Sequence, residues 1–198
     1  MTTVTIVSCA WGEHRRFVDR WAAAVRNLTR QPDDVIIAWN GAGLWKHRQA
    51  GLLDAAIRSA GTEWVWVLDI DDEALPTGLD GIDELGPEVD VWLTGYTTSE
   101  GRTYMPPRMT NAMYLAHPGN PYTGASAFRR QSYLNVGGFA DVAFQDWSLW
   151  RRMAQEGCRF MPSGRPHFIY HSHDGTRRAT ELTPGMRAAH VREMEDAG

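Results

Sequence analysis

The segment from Trp64 to Asp72 constrains this chain more than any other part of its sequence. It reads WVWVLDIDD, an apolar run that ends in three aspartates within four positions, Asp69, Asp71 and Asp72. Carboxylates this close raise one another's pKa and repel unless a cation neutralises them. Open α/β sheets bind ligands at the edge where such strands end. The pattern indicates a divalent-cation site, and a polar turn with capping aspartates is the alternative.

The elements around this segment predict an α/β fold. Apolar runs at 3–8, 35–39 and 63–68 are typical of strands, and helical periodicity lies between them at 13–28 and 46–60. The third run is apolar almost without alternation, which is typical of a strand covered on both faces. Strands that alternate with helices in this way form right-handed βαβ units. We therefore expect a single Rossmann-like domain with a mostly parallel central sheet and helices on both faces.

The second half of the chain carries weaker signals. Residues 94–121 are rich in Gly, Pro, Thr and Asn and predict a long loop, which in a compact domain is usually functional or mobile. Four tyrosines in or beside this loop could form a lid that stacks on a sugar or a base, or they could be packing residues. The other predicted elements are short helices or strands at 79–85, 89–93, 125–128, 160–161 and 168–170, a helix at 146–156, and a polar helical tail at 183–198.

Length and charge narrow the class of protein. The 198 residues, 43% of them apolar, suffice for one sizeable core. A net charge of −4 gives no general reason to expect nucleic-acid or membrane binding. Residues 1–98 hold eight basic and fifteen acidic side chains, whereas residues 99–198 hold twelve and nine. The basic second half leaves an anionic acceptor open, including nucleic acid, but a solvated arginine-rich surface is the favoured interpretation.

The cysteine content and the apolar segments of the sequence predict the cellular location. Cys9 and Cys158 are too few for a disulfide framework and are expected to be reduced. The sequence has no signal-peptide pattern and no apolar stretch long enough to span a bilayer. We therefore expect a cytoplasmic protein without a transmembrane segment.

Further segments carry candidate chemistry. Asp146 stands at a predicted helix start among aromatic residues, where it could act as a general base with a raised pKa or simply cap the helix. His171 and His173 lie one residue apart on an extended segment, so at most one would face a metal, and a hydrogen-bonded structural role is the alternative. Gly124 and Ala125 would let a ligand approach the backbone, or allow tight strand packing.

The order of these motifs resembles glycosyltransferase family two, the inverting enzymes with a GT-A fold. The sequence LDIDD at 68–72 is similar to the family's Leu-Asp-x-Asp-Asp segment, which contains its DXD motif. TGASAFRR at 123–130, with VGGF at 136–139, looks like the family's acceptor-side strand and turn. QDWSLWRR at 145–152 and HDG at 173–175 look like its helix start and its C-terminal histidine motif. The match covers the chain from the first strand to about Asp174.

The resemblance implies a metal-dependent, hexosyltransferase-like enzyme that moves a sugar from a nucleotide-diphosphate donor, expected to be a UDP-sugar, to an acceptor hydroxyl. It implies one GT-A domain at 1–182, with a nucleotide-binding half at 1–98 and an acceptor-binding half at 99–182, and Mn²⁺ or Mg²⁺ as cofactor. Asp146 would be the general base. The residues implied to bind the nucleotide sugar are Ser8, Cys9, Ala10, Trp11, Asn40, Arg48, Asp69, Gly124 and Ala125; those implied for the metal are Asp71, His173, Asp69 and Asp72; those for the acceptor are Gln145 and Trp147.

Two positions depart from the family pattern. Asn40 stands where the family has an acidic turn that reads the base, and Gln145 stands where it often has glutamate. Two other functions stay open from the sequence. One is a catalytically silent nucleotide-sugar binding module, because the chain is short. The other is a nucleotidyltransferase, against which stands the lack of a glycine-rich phosphate loop after the first strand.

Overall fold

The computed structural model describes residues 2–40, 49–142 and 144–172. Within these ranges eight strands form one sheet, with helices packed on both faces. The strands are β1 Val4–Trp11, β2 Asp34–Asn40, β3 Trp64–Val67, β4 Glu73–Ala74, β5 Val91–Thr98, β6 Thr103–Tyr104, β7 Ala127–Arg129 and β8 Phe160–Tyr170. The α-helices are α1 Val18–Arg26, α2 Gln49–Ser59, α3 Asn111–Leu115, α4 Arg130–Asn135 and α5 Gln145–Gln155.

The sheet is mixed but mostly parallel, with the order β2-β1-β3-β7-β5-β8-β4 and with β6 paired to β5. β1 is parallel to β2 and β3, and β5 is parallel to β8. β7 is antiparallel to both β3 and β5, so β3 and β5 are parallel to each other. The strands β1, β2, β3, β5 and β8 therefore all run in one direction and end at one edge. The predicted α/β class, with helices on both faces of a mostly parallel sheet, is confirmed.

Two apolar layers cover the two faces of the sheet. One face packs against α2, α4 and α5 through residues such as Leu53, Tyr133 and Trp150. The other packs against α1 through Trp21 and against the segment that follows β4. Trp64 and Trp66 of β3 are fully buried, as the uninterrupted apolar run of this strand predicts.

Several predicted elements differ in detail from the observed ones. The predicted helix at 13–28 begins as a 3₁₀ helix at Gly12–Phe17, and this tighter winding accompanies the close approach of His14 to Trp11. The predicted long loop at 94–121 contains the end of β5, β6 and α3. The short helix α4 was not predicted. The predicted C-terminal tail at 183–198 lies outside the described residues.

The predicted strands at 160–161 and 168–170 are parts of one strand, β8, that pairs with β5 along its length. Its sequence contains Pro162, Gly164 and Pro166, residue types that usually interrupt a strand. The ladder accommodates them by register shifts around Gly95, and Gly164 adopts a φ of +78°. The strand therefore persists through residues that predicted a break.

Neither Cys9 nor Cys158 takes part in a disulfide. No helix among the described ranges is long and apolar enough to cross a membrane.

Gly78 fills a tight place where the segment after β4 packs on β8. A Cβ at this position would lie 2.9 Å from the His167 carbonyl oxygen and 2.9 Å from the Trp66 ring. The same segment is held by His167, which is fully buried and whose Nδ1 lies 2.6 Å from the Gly78 carbonyl oxygen. Burial is the main cause that lowers the pKa of His167 from 6.5 to about 4, so this imidazole is neutral at pH 7.

We expect Gly78→Ala to lower the free energy of unfolding by about 1–3 kcal/mol, because the added methyl group meets backbone and a buried indole. Gly51→Ala is the matched control, since a Cβ at Gly51 in α2 has nothing within 4 Å and alanine favours a helix by about 1 kcal/mol. Urea unfolding of both variants measures the difference. Equal stability of the two variants would contradict this packing.

Candidate active site

A cavity of about 580 Å³ lies at the edge where β1, β3 and β5 end. Its wall is built from the end of β1, the acidic turn after β3, the segment before β7 and the start of α5. Tyrosines of β5, β6 and β8 close the other end. The sequence-predicted residues that line it are Cys9, Trp11, Asp69, Asp71, Asp72, Gly124, Ala125, Gln145 and Asp146.

The acidic turn is held in place by backbone bonds from its neighbours. The Asp72 amide donates to the Asp69 carbonyl oxygen at 3.0 Å, which closes the turn. The guanidinium of Arg20, on α1, donates to the Asp71 carbonyl oxygen and lies 3.9 Å from the Glu73 carboxylate. Both Asp69 and Asp71 line the cavity, so the turn presents two carboxylates to a ligand.

Asp72 also connects the turn to the end of β8. Its side chain is 2% exposed, and its Oδ1 accepts the His171 amide at 3.1 Å. Burial raises the pKa of Asp72 well above its usual value, and the charges of Asp69 and Asp71 raise it further. The three aspartates therefore crowd one another electrostatically, which is the condition that a bound cation relieves.

The fit of the turn to a divalent cation is partial. In the described part of the chain, no group of three or more His, Cys, Asp or Glu side chains is placed to hold a metal ion. Asp69 and Asp71 alone suit Mg²⁺ or Mn²⁺, because these ions commonly take one or two carboxylates and complete their shell with water and substrate phosphates. His173, the remaining predicted ligand, lies outside the described residues.

The end of β1 presents alternate side chains to the cavity. Cys9 and Trp11 line it, while Ser8 and Ala10 are fully buried and do not. This is the period of two that a strand requires. Burial, with the charge of Asp69, raises the pKa of the Cys9 thiol to about 12, so the thiol is neutral.

Asn40 and Arg48 are the other residues predicted to bind the nucleotide near the end of β1. Asn40 ends β2 opposite Trp11 in the sheet register and does not line the cavity. Arg48 lies outside the described residues. The ring of Trp11 packs on His14 at a centroid distance of 3.9 Å, and His14 also lines the cavity.

Asp146 lies in the first turn of α5 and faces the cavity. The helix cap is Phe144, without a side-chain capping bond, so a simple N-cap role does not account for Asp146. Its Oδ2 accepts the Asn120 side-chain amide at 3.0 Å. Gly124 packs against it, since a Cβ there would lie 3.3 Å from the Asp146 Cβ. The neighbouring Trp147 is 7% exposed and belongs to the core, whereas Gln145 lines the cavity.

Asn120 is a site residue that the sequence did not reveal, because the segment PGNP at 118–121 predicts only a chain reversal. Its Oδ1 accepts the Tyr114 hydroxyl at 3.3 Å and the Tyr122 amide at 3.2 Å. Two donors on Oδ1 orient the amide so that its Nδ2 faces Asp146. Tyr114 and Tyr122 are themselves stacked with ring centroids 4.7 Å apart, so this orientation rests on a rigid support.

The segment before β7 is fixed by two buried bonds to one carbonyl group. Trp66 Nε1 and the Thr94 hydroxyl both donate to the Ala125 carbonyl oxygen, at 2.9 Å and 2.6 Å. These donors come from β3 and β5, the two strands that flank β7. They place Gly124 and Ala125 in the cavity wall between the acidic turn and Asp146.

Comparison with known proteins identifies the fold. No protein-family description and no curated protein sequence matches the chain. TarS of S. aureus, residues 1–349 in complex with UDP-GlcNAc, matches with a TM-score of 0.72 and 12% identity over 97% of this chain and 65% of that one. The mannosyltransferase PcManGT of Pyrobaculum calidifontis, in complex with GDP-Man and Mn²⁺, matches with a TM-score of 0.68 and 16% identity over 98% and 63%.

These likenesses establish a GT-A type α/β fold, which confirms the fold expected from the sequence. The chain spans less than two thirds of the length of TarS 1–349 and of PcManGT. At such identities the likeness concerns the fold. Membership of family two in particular stays a prediction.

The contacts of Asp72 predict opposite effects for two substitutions. Asp72→Asn keeps an oxygen that can accept the His171 amide and removes one of three like charges, so without a divalent cation its free energy of unfolding at pH 7 should exceed that of the unmodified protein. Asp72→Ala leaves the amide without its acceptor and should lower the free energy of unfolding by about 1–3 kcal/mol.

The pH dependence checks the cause. A raised pKa means that the unmodified protein loses stability as Asp72 ionises, so the advantage of Asp72→Asn should grow as pH rises and vanish below about pH 3.8, where the carboxyl is protonated in both states. Urea unfolding at several pH values measures this. Equal loss of stability in Asp72→Asn and Asp72→Ala would show that the buried, repelled charge of Asp72 is not the dominant effect.

Proposed function

We propose that this chain is a glycosyltransferase that takes its sugar from a nucleotide-diphosphate donor. The observation that carries the proposal is the placement of Asp69, Asp71 and Asp146 around one cavity at the carboxyl edge of a GT-A sheet. TarS in complex with UDP-GlcNAc and PcManGT in complex with GDP-Man and Mn²⁺ support it through their shared fold. The finer proposal is a metal-dependent, inverting enzyme of family two that uses a UDP-sugar.

The donor would lie along the cavity with its nucleoside near Cys9 and Trp11 and its diphosphate near the acidic turn. Asp69 and Asp71 would hold Mn²⁺ or Mg²⁺ together with the phosphate oxygens. When bound, the cation supplies positive charge that neutralises the leaving diphosphate. The arrangement accounts for two carboxylates that would otherwise repel an anionic donor.

Asp146 would take the proton of the acceptor hydroxyl. The acceptor oxygen then forms a bond to the anomeric carbon, the bond from that carbon to the diphosphate oxygen breaks, and its electron pair leaves with the diphosphate. Attack on the face opposite the leaving group inverts the anomeric configuration. Asp146 and the acidic turn belong to different elements, α5 and the turn after β3, so base and leaving group can occupy different sides of the reacting carbon.

Two substitutions test the proposal. Asp71→Ala should abolish the Mn²⁺-dependent rise in melting temperature that UDP-sugars produce, because ligand binding stabilises a fold by mass action. Asp146→Asn should keep that rise and lower donor hydrolysis and sugar transfer by about 10²- to 10⁴-fold, since only the proton acceptor is lost. Glu84→Gln, an exposed position outside the cavity, is the control for the loss of a carboxylate.

The outcomes separate the alternatives. Undiminished turnover in both variants would overturn the proposal. Tight donor binding without hydrolysis or transfer in the unmodified protein would indicate a nucleotide-sugar binding module. A thermal shift with GDP-sugars and none with UDP-sugars would correct the base while leaving the class of enzyme intact.

The bond from Asn120 to Asp146 predicts a shift in the pH profile. Asn120→Asp places a second carboxylate beside Asp146, which raises the pKa of the base. Because the base must be ionised to accept a proton, the acidic limb of the kcat profile should move to higher pH by about one unit or more. Asn135→Asp makes the same charge change at an exposed position and should leave the profile unchanged. A profile that moves equally in both variants would contradict the contact.

A further inference from the structure

A row of tyrosines forms the wall of the cavity away from β1. Tyr96 of β5 lies directly opposite Tyr104 of β6 in the sheet register, and their rings stack with centroids 5.1 Å apart and planes inclined by 23°. The ring centroid of Tyr170, on β8, lies 5.6 Å from that of Tyr96. All three line the same cavity as Asp71 and Asp146. We call Tyr96, Tyr104 and Tyr170 the tyrosine wall.

Close packing of β6 on β5 and of Tyr96 on Phe168 supports this wall. Gly95 allows β6 to close on β5, because a Cβ at Gly95 would lie 2.6 Å from Met105 Sδ and 2.9 Å from the Tyr104 carbonyl oxygen. Tyr96 rests on the buried ring of Phe168 at a centroid distance of 5.4 Å. Tyr104 remains 44% exposed although the rings beneath it are packed. A large aromatic face fixed in this way and open to a cavity binds at a low cost in side-chain entropy.

The charges of the cavity restrict what the wall can receive. In the described part of its lining the cavity has four acidic residues, Asp69, Asp71, Asp146 and the nearly fully buried Asp72, together with His14 and no lysine or arginine. An anionic acceptor on the tyrosine wall would meet the like charge of these aspartates, and the one described lining side chain that can carry positive charge, His14, packs on Trp11 at the end of β1. An uncharged ring would meet polarisable faces on one side and, from the tyrosine hydroxyls and carboxylates, hydrogen-bonding groups on the other.

The shape of the wall favours a sugar ring over a cation. Cages that bind quaternary ammonium groups enclose the cation with aromatic faces. Here Tyr104 stacks on Tyr96, and Tyr96 rests on Phe168, so the column presents one outer ring face, that of Tyr104, and does not enclose a cation. The negative face of an aromatic ring attracts the polarised C–H groups of a pyranose, and its hydroxyls can then reach the carboxylates.

We propose that the tyrosine wall is the acceptor subsite and that the acceptor is an uncharged glycosyl residue. This inference rests on the proposed glycosyltransferase function, and it names the class of the second substrate. It places the acceptor ring on Tyr104, with the hydroxyl that reacts turned toward Asp146.

Saturation-transfer NMR with methyl glycosides tests the subsite directly. With UDP and diamagnetic Mg²⁺ present, the ring protons of methyl β-glucoside, β-galactoside or α-mannoside should receive saturation from the protein, and methyl β-glucuronide should receive much less. Tyr104→Ala should raise the Kd of the neutral glycoside about three- to tenfold, whereas Tyr104→Phe should retain binding because the ring face remains. Met113→Ala is the control, since Met113 is 56% exposed and does not line the cavity.

Four results would overturn the proposal: no saturation of any neutral glycoside, equal saturation of the glucuronide, displacement of the glycoside by choline, or a Kd unaffected by Tyr104→Ala. Calorimetric binding of UDP-sugars separates this failure from that of the proposed function. Donor binding that is unchanged in Tyr104→Ala, with no glycoside on the wall, refutes the subsite alone. Absence of donor binding refutes the proposed function.

Discussion

Like-charge repulsion at the end of β3 is the constraint around which the site is organised. Three carboxylates within four residues are tolerated because neighbouring elements donate hydrogen bonds to the turn. Arg20 of α1 donates to the Asp71 carbonyl oxygen, and the His171 amide at the end of β8 donates to Asp72. Burial, together with the charges of Asp69 and Asp71, keeps the pKa of Asp72 raised. The turn thus joins α1, β3 and β8, and its Asp69 and Asp71 line the cavity.

The antiparallel strand β7 and the segment before it connect the position of this turn to that of Asp146. β7 lies between β3 and β5, and both neighbours donate buried hydrogen bonds to the Ala125 carbonyl oxygen just before it begins. Gly124 is thereby held against Asp146. A Cβ at position 124 would lie 3.3 Å from the Asp146 Cβ, which is closer than an ordinary van der Waals contact. In the proposed function, the donor at the acidic turn and the base on α5 would therefore be positioned by one stretch of sheet.

The sequence predicts the parts of this arrangement that depend on local pattern. The first three strands and their helices follow from apolar periodicity, and Asp69, Asp71 and Asp146 follow from their positions at element ends. Asn120 could not be found in this way, because its role depends on Tyr114, Tyr122 and Asp146 meeting in space. The prolines of β8 predict two short strands, and pairing with β5 overrides that local signal. The resemblance implies that Ser8 and Ala10 bind the nucleotide sugar together with Cys9 and Trp11, although strand alternation separates the two pairs.

The two ends of the cavity differ in how closely they are tied to the core. Trp64 and Trp66, in the strand that leads into the acidic turn, are fully buried. The position of that turn therefore depends on the packing that stabilises the sheet. Tyr104 and Met105 lie on and beside a two-residue strand and are 44% and 40% exposed. Substitutions there remove little buried apolar area and therefore cost little stability. The fold thus separates the charged end of the cavity, which is tied to the core, from an aromatic end whose side chains can be replaced at little cost to the stability of the sheet.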